Sequence, residues 1–384
     1  MRGIFRIKGL DPETFGGNMA SQKKPRKKAS TGKIILFIVE LIALVALIVV
    51  MWVVTKATDS DTGVKRLDIN EEEIKVEMNE EVLENEAMKG YTNYALFGVD
   101  SRTGDLASKT RTDTIIIASV NNDTQEVKLV SVYRDTYLNQ MGSSQSYGKC
   151  NAAYAYGGAE QAIKMLNANL DMDISDFITI GFEGLRDVVD ALGGVYIDVD
   201  EDEIKHLNNY QIAMVETMDD IDTYEPVKET GYQLLNGLQA TAYCRIRYTA
   251  GNDFKRTERQ REVIKACLDV AKTANVSTLK EICENVFSET YTSLDLSEIL
   301  TLLEHIAEYS IVDEGGFPTS DQVTTGTIGS AGSCVIPLDL ASNVTWLHEF
   351  LFEEENYDPS SNVKEYSEQI YQKTNGYLTG AITE

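Results

Sequence analysis

Residues 34–54 read IILFIVELIALVALIVVMWVV, 21 residues broken by a single charge, Glu40. As a helix that length crosses a bilayer core of roughly 30 Å, and it is too long for the apolar part of a secretory leader. No small-x-small cleavage site follows it. An ionised carboxylate is costly in lipid. Glu40 is therefore expected to be protonated, to face a partner helix, or to sit near the cytoplasmic interface. Beyond this run the pattern breaks into short blocks. Residues 55–90 are Glu-rich with apolar positions at mixed helical spacing, and predict an acidic stalk. YALFGV (94–99), DTIIIASV (113–120) and EVKLVSV (126–132) are apolar and β-branched, and predict core strands with a hairpin turn over 121–124.

Residues 152–170 have helical periodicity with Gly157 and Gly158 inside it. DFITIGF (176–182) and GVYIDV (194–199) predict strands around a short helix near 185–192. Residues 200–230 are acidic and poorly periodic, and predict a surface loop. ATAYCRIRY (240–248) is short and apolar, with two alternating Arg that a strand would place on one face. Helices are predicted over 256–274 and 296–309, loop and edge strand over 315–335, a closing helix over 342–353 and a polar tail over 354–384. Strands mixed with helices predict one α/β domain over residues 91–353.

Charge divides the chain at the apolar run. Residues 1–33 hold nine Lys or Arg against two acids, with Lys23, Lys24, Arg26, Lys27, Lys28 and Lys33 closest to it. A basic flank stays in the cytoplasm, so the rest is expected outside the cell membrane, held by one helix. The whole chain is −26, and the part after residue 54 is −32. Such an exterior excludes a general nucleic-acid binder. It holds ten Arg, none in the last 123 residues. The five Cys form no C-x-x-C and the three His no metal spacing, which excludes zinc and thioredoxin-like sites. The odd count leaves one thiol without an internal partner, while Cys267 and Cys283 are spaced to bridge adjacent helices.

Eight of those ten Arg fall in four segments at predicted strand ends: GVDSR with Asp100 and Arg102, KTRTDT with Arg111 and Asp113, SVYRDT with Arg134 and Asp135, and RIRYTAGNDFKRTERQR with Arg245, Arg247, Asp253, Arg256, Arg259 and Gln260. If strands 94–99 and 113–120 pair antiparallel, Asp100 and Asp113 meet at one sheet edge. A three-strand meander brings Arg134 and Asp135 there too. Two carboxylates suit Mg²⁺, which is usually completed by substrate phosphates, and Arg forks suit a pyrophosphate. Phosphoryl transfer needs this kind of positioned charge and little covalent chemistry from the protein. There is no G-x-S-x-G and no dinucleotide glycine fingerprint, and GSSQSYGKC (142–150) has one residue too many for a phosphate-binding P-loop. Taken singly, each Asp–Arg pair reads as an ordinary salt bridge. Arg256, Arg259 and Gln260 share one helix face, though Arg259 and Arg261 read equally well as surface charges.

The ordered set ALFGVDSR, RTDTIIIASVN, VKLVSVYRDTYL, KCNAAYAYGGAEQAI, ALGGVYIDV, GYQLLNGLQATAYCRIRY and DFKRTERQREVI resembles the LytR-CpsA-Psr family over residues 91–275. The resemblance implies a three-layer α/β/α fold with a central mixed sheet, an apolar cavity for a lipid tail, and an N-terminal transmembrane helix. It implies transfer of a glycopolymer, such as teichoic acid or capsular polysaccharide, from polyprenyl pyrophosphate to a peptidoglycan hydroxyl. By motif it implies Asp100 and Asp113 as Mg²⁺ ligands. Arg102, Arg111, Arg134, Arg245, Arg247, Arg256 and Gln260 are implied for the pyrophosphate, with Arg134 and Asp253 catalytic; Asp253 matches an acidic position beside the site and is a candidate base. The family usually has Pro before the RD of its third motif, where this chain has Tyr133. A non-catalytic lipid-pyrophosphate binder and a lipid pyrophosphatase are the alternatives with the same pocket.

Overall fold

A computed structural model describes residues 65–66, 78–100, 106–107, 110–142, 146–218, 220–249, 252–275, 278–279, 282 and 290–376. The chain divides into Met1–Asp61 and Thr62–Glu384, and every described residue belongs to the second unit. The expected cytoplasmic segment 1–33, the membrane helix 34–54 and most of the stalk lie outside the described residues. Among the described residues no helix is long and apolar enough to cross a membrane.

Strands β1 (Tyr91–Val99), β2 (Thr112–Asn121) and β3 (Glu126–Val132) form the expected antiparallel meander. Its turn is built by Asn121, whose Oδ1 accepts the backbone N–H of Asp123 (3.0 Å) and Thr124 (3.1 Å). Helix α1 (Asn151–Leu170) leads to β4 (Asp176–Ile180), which lies parallel to β1. Then follow α2 (Phe182–Ala191), β5 (Val195–Val199), α3 (Glu201–Val215), β6 (Gly231–Leu235), α4 (Gly237–Cys244) and α5 (Asn252–Ala271), with β5 and β6 paired antiparallel. Strand β7 (Thr290–Thr292), helix α6 (Leu296–Glu304) and strand β8 (Ser310–Phe317) come next. The hairpin β9 (Val323–Ile328) and β10 (Gly332–Pro337), then α7 (Leu340–Phe352) and α8 (Ser361–Lys373), complete the order. With the two-residue strand Lys65–Arg66 at one edge, the mixed sheet runs β7, β4, β1, β2, β3, β8.

Side chains alternate across a strand, and the two sheet faces use this differently. On one face Phe97, Ile115, Val130 and Phe177 join residues of α1, α7 and α8 in the largest buried cluster. On the other face Ile116, Ala118 and Leu129 pack with Leu96 and Ile264 of α5. Helices therefore cover both faces. A second cluster gathers α2, β5, α3, β6 and α4 around Val189, Ile197, Leu207, Leu235, Ile246 and Val263. Within α1, Gly157 and Gly158 leave helical geometry, and Gly158 takes φ 68°. A Cβ at Gly158 would stand 2.5 Å from the Ala107 carbonyl oxygen, so the kink lets the backbone at Ala107 approach the helix.

Four readings change. The acidic loop expected over 200–230 begins with α3, whose first turn is closed by Glu203 accepting the Asp200 N–H at 2.9 Å. The strand-like 240–248 is α4 followed by a turn, because Ala and Leu positions fully buried on every side suit a short helix. The tail over 354–384 contains α8, which buries Val363, Tyr366 and Ile370 in the main core. The expected boundary at 91 falls inside the folded unit, since Met78, Val82 and Met88 are buried in that same core. The loop and edge strand expected over 315–335 correspond to the end of β8 and the β9–β10 hairpin with its connections.

Candidate functional site

The register Gly98↔Thr114, Val99↔Thr112 puts the C-terminal end of β1 beside the start of β2. Asp100 and Asp113 thereby line one cavity of about 370 Å³, together with Arg245, Arg247, Arg256 and Gln260. Its other walls are mainly apolar: Leu96, Ile116, Ile178, Ile180, Val263 and Ile264, with Cys244 and Cys267. A charged mouth thus opens onto an apolar interior between the sheet and α5.

The charges at the mouth interlock. Arg134 and Asp113 form an ion pair through Nη1 and Oδ1. Arg247 Nη2 lies 3.6 Å from the other Asp113 oxygen, and Arg247 Nε 3.5 Å from Asp253 Oδ1. Arg256 Nη1 is 3.2 Å from the same Asp253 oxygen, and its Nη2 donates to the Asp113 carbonyl at 2.9 Å. Arg245 Nη2 is 4.0 Å from Asp100 Oδ2. Asp135 stands behind, 3.7 Å from Arg134 Nε and 3.1 Å from Lys149.

Arg256 is only 3% exposed. Burial, then repulsion from Arg247 and Arg134, pulls its guanidinium down to about 10, so it stays charged at neutral pH. Burial also lowers Arg245. Burial acts the same way on Arg134, but Asp113, Asp135 and Asp253 outweigh it and raise that group. Several donors here are buried with no hydrogen-bond partner among the described residues: Arg134 Nε and Arg256 Nε and Nη1. The Arg256–Asp253 contact is thus near enough for attraction but poorly aligned for a hydrogen bond. Buried donors without acceptors are costly, and an anion bound at the mouth would satisfy them.

Four of the seven residues expected to bind pyrophosphate converge here with a fifth, Gln260, whose Nε2 donates to the Cys244 carbonyl at 3.4 Å. That fourth arginine is Arg134, which reaches the mouth through Asp113. Arg111 is exposed ahead of β2 and does not line the cavity. Arg102 lies outside the described residues. Asp253 sits between Arg247 and Arg256 rather than on the cavity wall. Tyr133 supports the third motif without Pro: its carbonyl accepts the Thr136 N–H at 2.8 Å, and its ring packs edge-on to Phe254 with centroids 4.5 Å apart. Arg245 and Arg247 do share a side, but by a turn after α4 that buries Ile246 between them. Arg259 and Arg261 are buried, not surface charges. Cys267 is a free thiol, and Cys283 lies outside the described residues.

Sequence reasoning missed Phe182 and Tyr210. The Arg245 guanidinium carbon lies 4.2 Å and 5.4 Å from their ring centroids. Tyr210 comes from α3, so reading that stretch as a loop hid it. The D-x-x-E spacing of Asp200 and Glu203 was the available signal for a helix start.

Among known proteins, the polyisoprenyl-teichoic acid–peptidoglycan teichoic acid transferase TagU of Bacillus licheniformis is 36% identical over 185 residues, 48% of this chain and 53% of that protein. The transferase of the same name from Enterococcus faecalis is 32% identical over 206 residues, 53% of this chain and 62% of that protein. The chain thus spans between half and two thirds of the length of these relatives. The crystal structure of TagV from Bacillus subtilis superposes with a TM-score of 0.54 at 23% identity, covering 71% of this chain and 99% of that one. The protein gbs0355 of Streptococcus agalactiae gives 0.57 at 24% identity, covering 73% and 94%. Both share the mixed α/β fold. A model of the LytR_cpsA_psr family matches residues 50–329, most of the chain, and the protein belongs to that family.

Proposed function

We propose that the protein is a membrane-anchored phosphotransferase that moves an anionic glycopolymer from a polyprenyl pyrophosphate carrier to a peptidoglycan hydroxyl. The observation that carries this reading is the set of unmatched guanidinium donors at the mouth of an apolar cavity. A diphosphate with a hydrocarbon tail matches both halves. The names of the relatives, teichoic acid transferases, agree with it. The run over 34–54 supplies the anchor, with residues 1–33 cytoplasmic and the folded unit outside, where lipid carrier and glycan meet.

In the reaction the acceptor hydroxyl oxygen attacks the sugar-proximal phosphorus. The bond from that phosphorus to the bridging oxygen breaks, and polyprenyl phosphate leaves. Arg134, Arg245, Arg247 and Arg256 hold the diphosphate in line and take up charge that develops on its oxygens, with Gln260 beside them. A part for Arg102 and Arg111 in binding rests on the sequence motifs alone. Asp253 keeps Oδ2 outside its ion pairs and is the proposed acceptor of the hydroxyl proton. The oxygen donors of Asp100 and Asp113 suit Mg²⁺. Among the described residues no three acidic, His or Cys side chains form a metal cluster. A magnesium ion there would take these two protein ligands and complete its shell with phosphate oxygens and water. Bound, it would offset charge on the leaving phosphate.

The test supplies the full-length chain with a polyprenyl-pyrophosphate saccharide, a peptidoglycan oligomer and Mg²⁺. The expected product is saccharide joined to glycan by a phosphodiester, lost in Arg134→Ala and Asp100→Ala. Release of polyprenyl phosphate without acceptor would instead mark a pyrophosphatase, and tight binding without turnover a carrier or assembly factor.

A further inference from the structure

Arg259 stands three residues after Arg256 on α5 but lives in a different environment. It is among the largest fully buried side chains, and its polar atoms are matched by protein. Nε donates to Glu203 Oε1 at 2.6 Å, Nη1 to the Ile246 carbonyl at 3.1 Å, and Nη2 to Thr249 Oγ1 at 2.6 Å. Ile246 is the residue between Arg245 and Arg247. Glu203 is equally buried, and its second oxygen closes the first turn of α3 on the Asp200 N–H. Tyr210, two helical turns further along α3, lies on the same side and reaches the Arg245 guanidinium. One ion pair therefore ties α5, the turn that carries both mouth arginines, and the helix that supplies an aromatic wall to one of them.

Stability is a weak reason for such a pair. Apolar residues of similar volume commonly do as well or better in a protein interior, because two charges must be stripped of water. What apolar residues lack is direction. A planar guanidinium fork fixes three acceptors at once, which a lysine ammonium does not do with the same geometry.

We propose that the buried Glu203–Arg259 pair is the positioning element of the pyrophosphate site. By holding the Ile246 carbonyl and Thr249 it aims Arg245 and Arg247 at the cavity mouth, and by fixing α3 it seats Tyr210 against Arg245. It touches no substrate itself. This inference rests on the proposed function, and its test separates the two.

The full-length chain in detergent with Mg²⁺ is titrated with farnesyl pyrophosphate and, separately, with farnesol, which offers the tail without the charge. The variants are the double replacement Glu203→Gln with Arg259→Met, which leaves no buried charge unpaired, and Arg259→Lys. The double variant is expected to keep the wild-type melting temperature and farnesol affinity while its farnesyl pyrophosphate affinity falls about tenfold or more. Arg259→Lys is expected to show the same split without rescue. If the double variant does not fold, Arg259→Lys decides alone. Wild-type affinity for farnesyl pyrophosphate in the variants, or an equal loss of both ligands, overturns the positioning role and leaves the proposed function standing. Should the wild type itself bind farnesyl pyrophosphate no better than farnesol, the proposed function fails and the positioning role with it.

Discussion

The two faces of the central sheet are made from the same strands and do different things. Phe97 points into a closed core, with the Tyr154 ring 5.3 Å and the Phe177 ring 6.4 Å away, while its neighbour Leu96 points into the cavity. The first face has α1, α7 and α8 filling it. The second has α5 and α2 standing off, so apolar surface remains open beneath a ring of charge. A strand with apolar residues at successive positions is thus serving two purposes, and only the helices above each face decide which is which.

The largest effect expected is at the charged rim. On the proposed function Arg256→Ala removes a guanidinium that takes up phosphate charge, and transfer should fall by roughly 100- to 1000-fold. The thermal midpoint should fall modestly, because the change gives up the hydrogen bond to the Asp113 carbonyl and the Asp253 contact while relieving two buried donors, Nε and Nη1, that have no hydrogen-bond partner among the described residues. Transfer kinetics beside a melting curve checks both halves.

Replacing adjacent residues on β1 sharpens the contrast between faces. Phe97→Ala opens a void in the closed core and should cost about 3–5 kcal/mol in denaturant unfolding. Leu96→Ala borders a space that already exists and should cost nearer to ~2 kcal/mol, with its main effect on lipid affinity. Equal stability losses at the two positions would show that the cavity face is packed after all.

Much of this arrangement was legible in the sequence, and its limits have physical causes. The meander was readable because three apolar runs follow one another and a short Asx turn joins β2 to β3, and the β1–β2 register then puts Asp100 beside the start of β2, near Asp113. Helix α3 was not, because two of its four buried positions, Glu203 and Gln211, are polar and mask the stripe that Leu207 and Met214 complete. Helix α4 is buried on all sides and so has no amphipathic signature. In α8 a narrow stripe of Val363, Tyr366 and Ile370 behind the cap Ser360 was diluted by a polar sequence. Charge type alone does not separate Arg256, whose Nε and Nη1 have no hydrogen-bond partner among the described residues, from Arg259, whose donors have protein partners. That distinction comes only from where the neighbouring oxygens lie.

Two smaller effects probe the cavity. Ile178→Trp should fill part of it and weaken binding of farnesyl pyrophosphate by about tenfold while leaving inorganic pyrophosphate unaffected, as calorimetry with both ligands would report. Cys267 lines the same wall, and burial pushes its thiol up to about 12. At pH 8 it should hold roughly a thousandfold less thiolate than an ordinary cysteine and react slowly with maleimide. Farnesyl pyrophosphate should slow it further, read by peptide mass mapping. Labelling that is fast and unaffected by ligand would place the tail elsewhere.

The most direct test follows the phosphorus atom itself. A polyprenyl-pyrophosphate saccharide labelled at the sugar-proximal phosphorus is incubated with the full-length chain, Mg²⁺ and peptidoglycan. The label should pass into the glycan as a phosphodiester while unlabelled polyprenyl phosphate is released. Label that stays with the lipid, or emerges as a free sugar phosphate with acceptor present, would contradict a phosphotransferase.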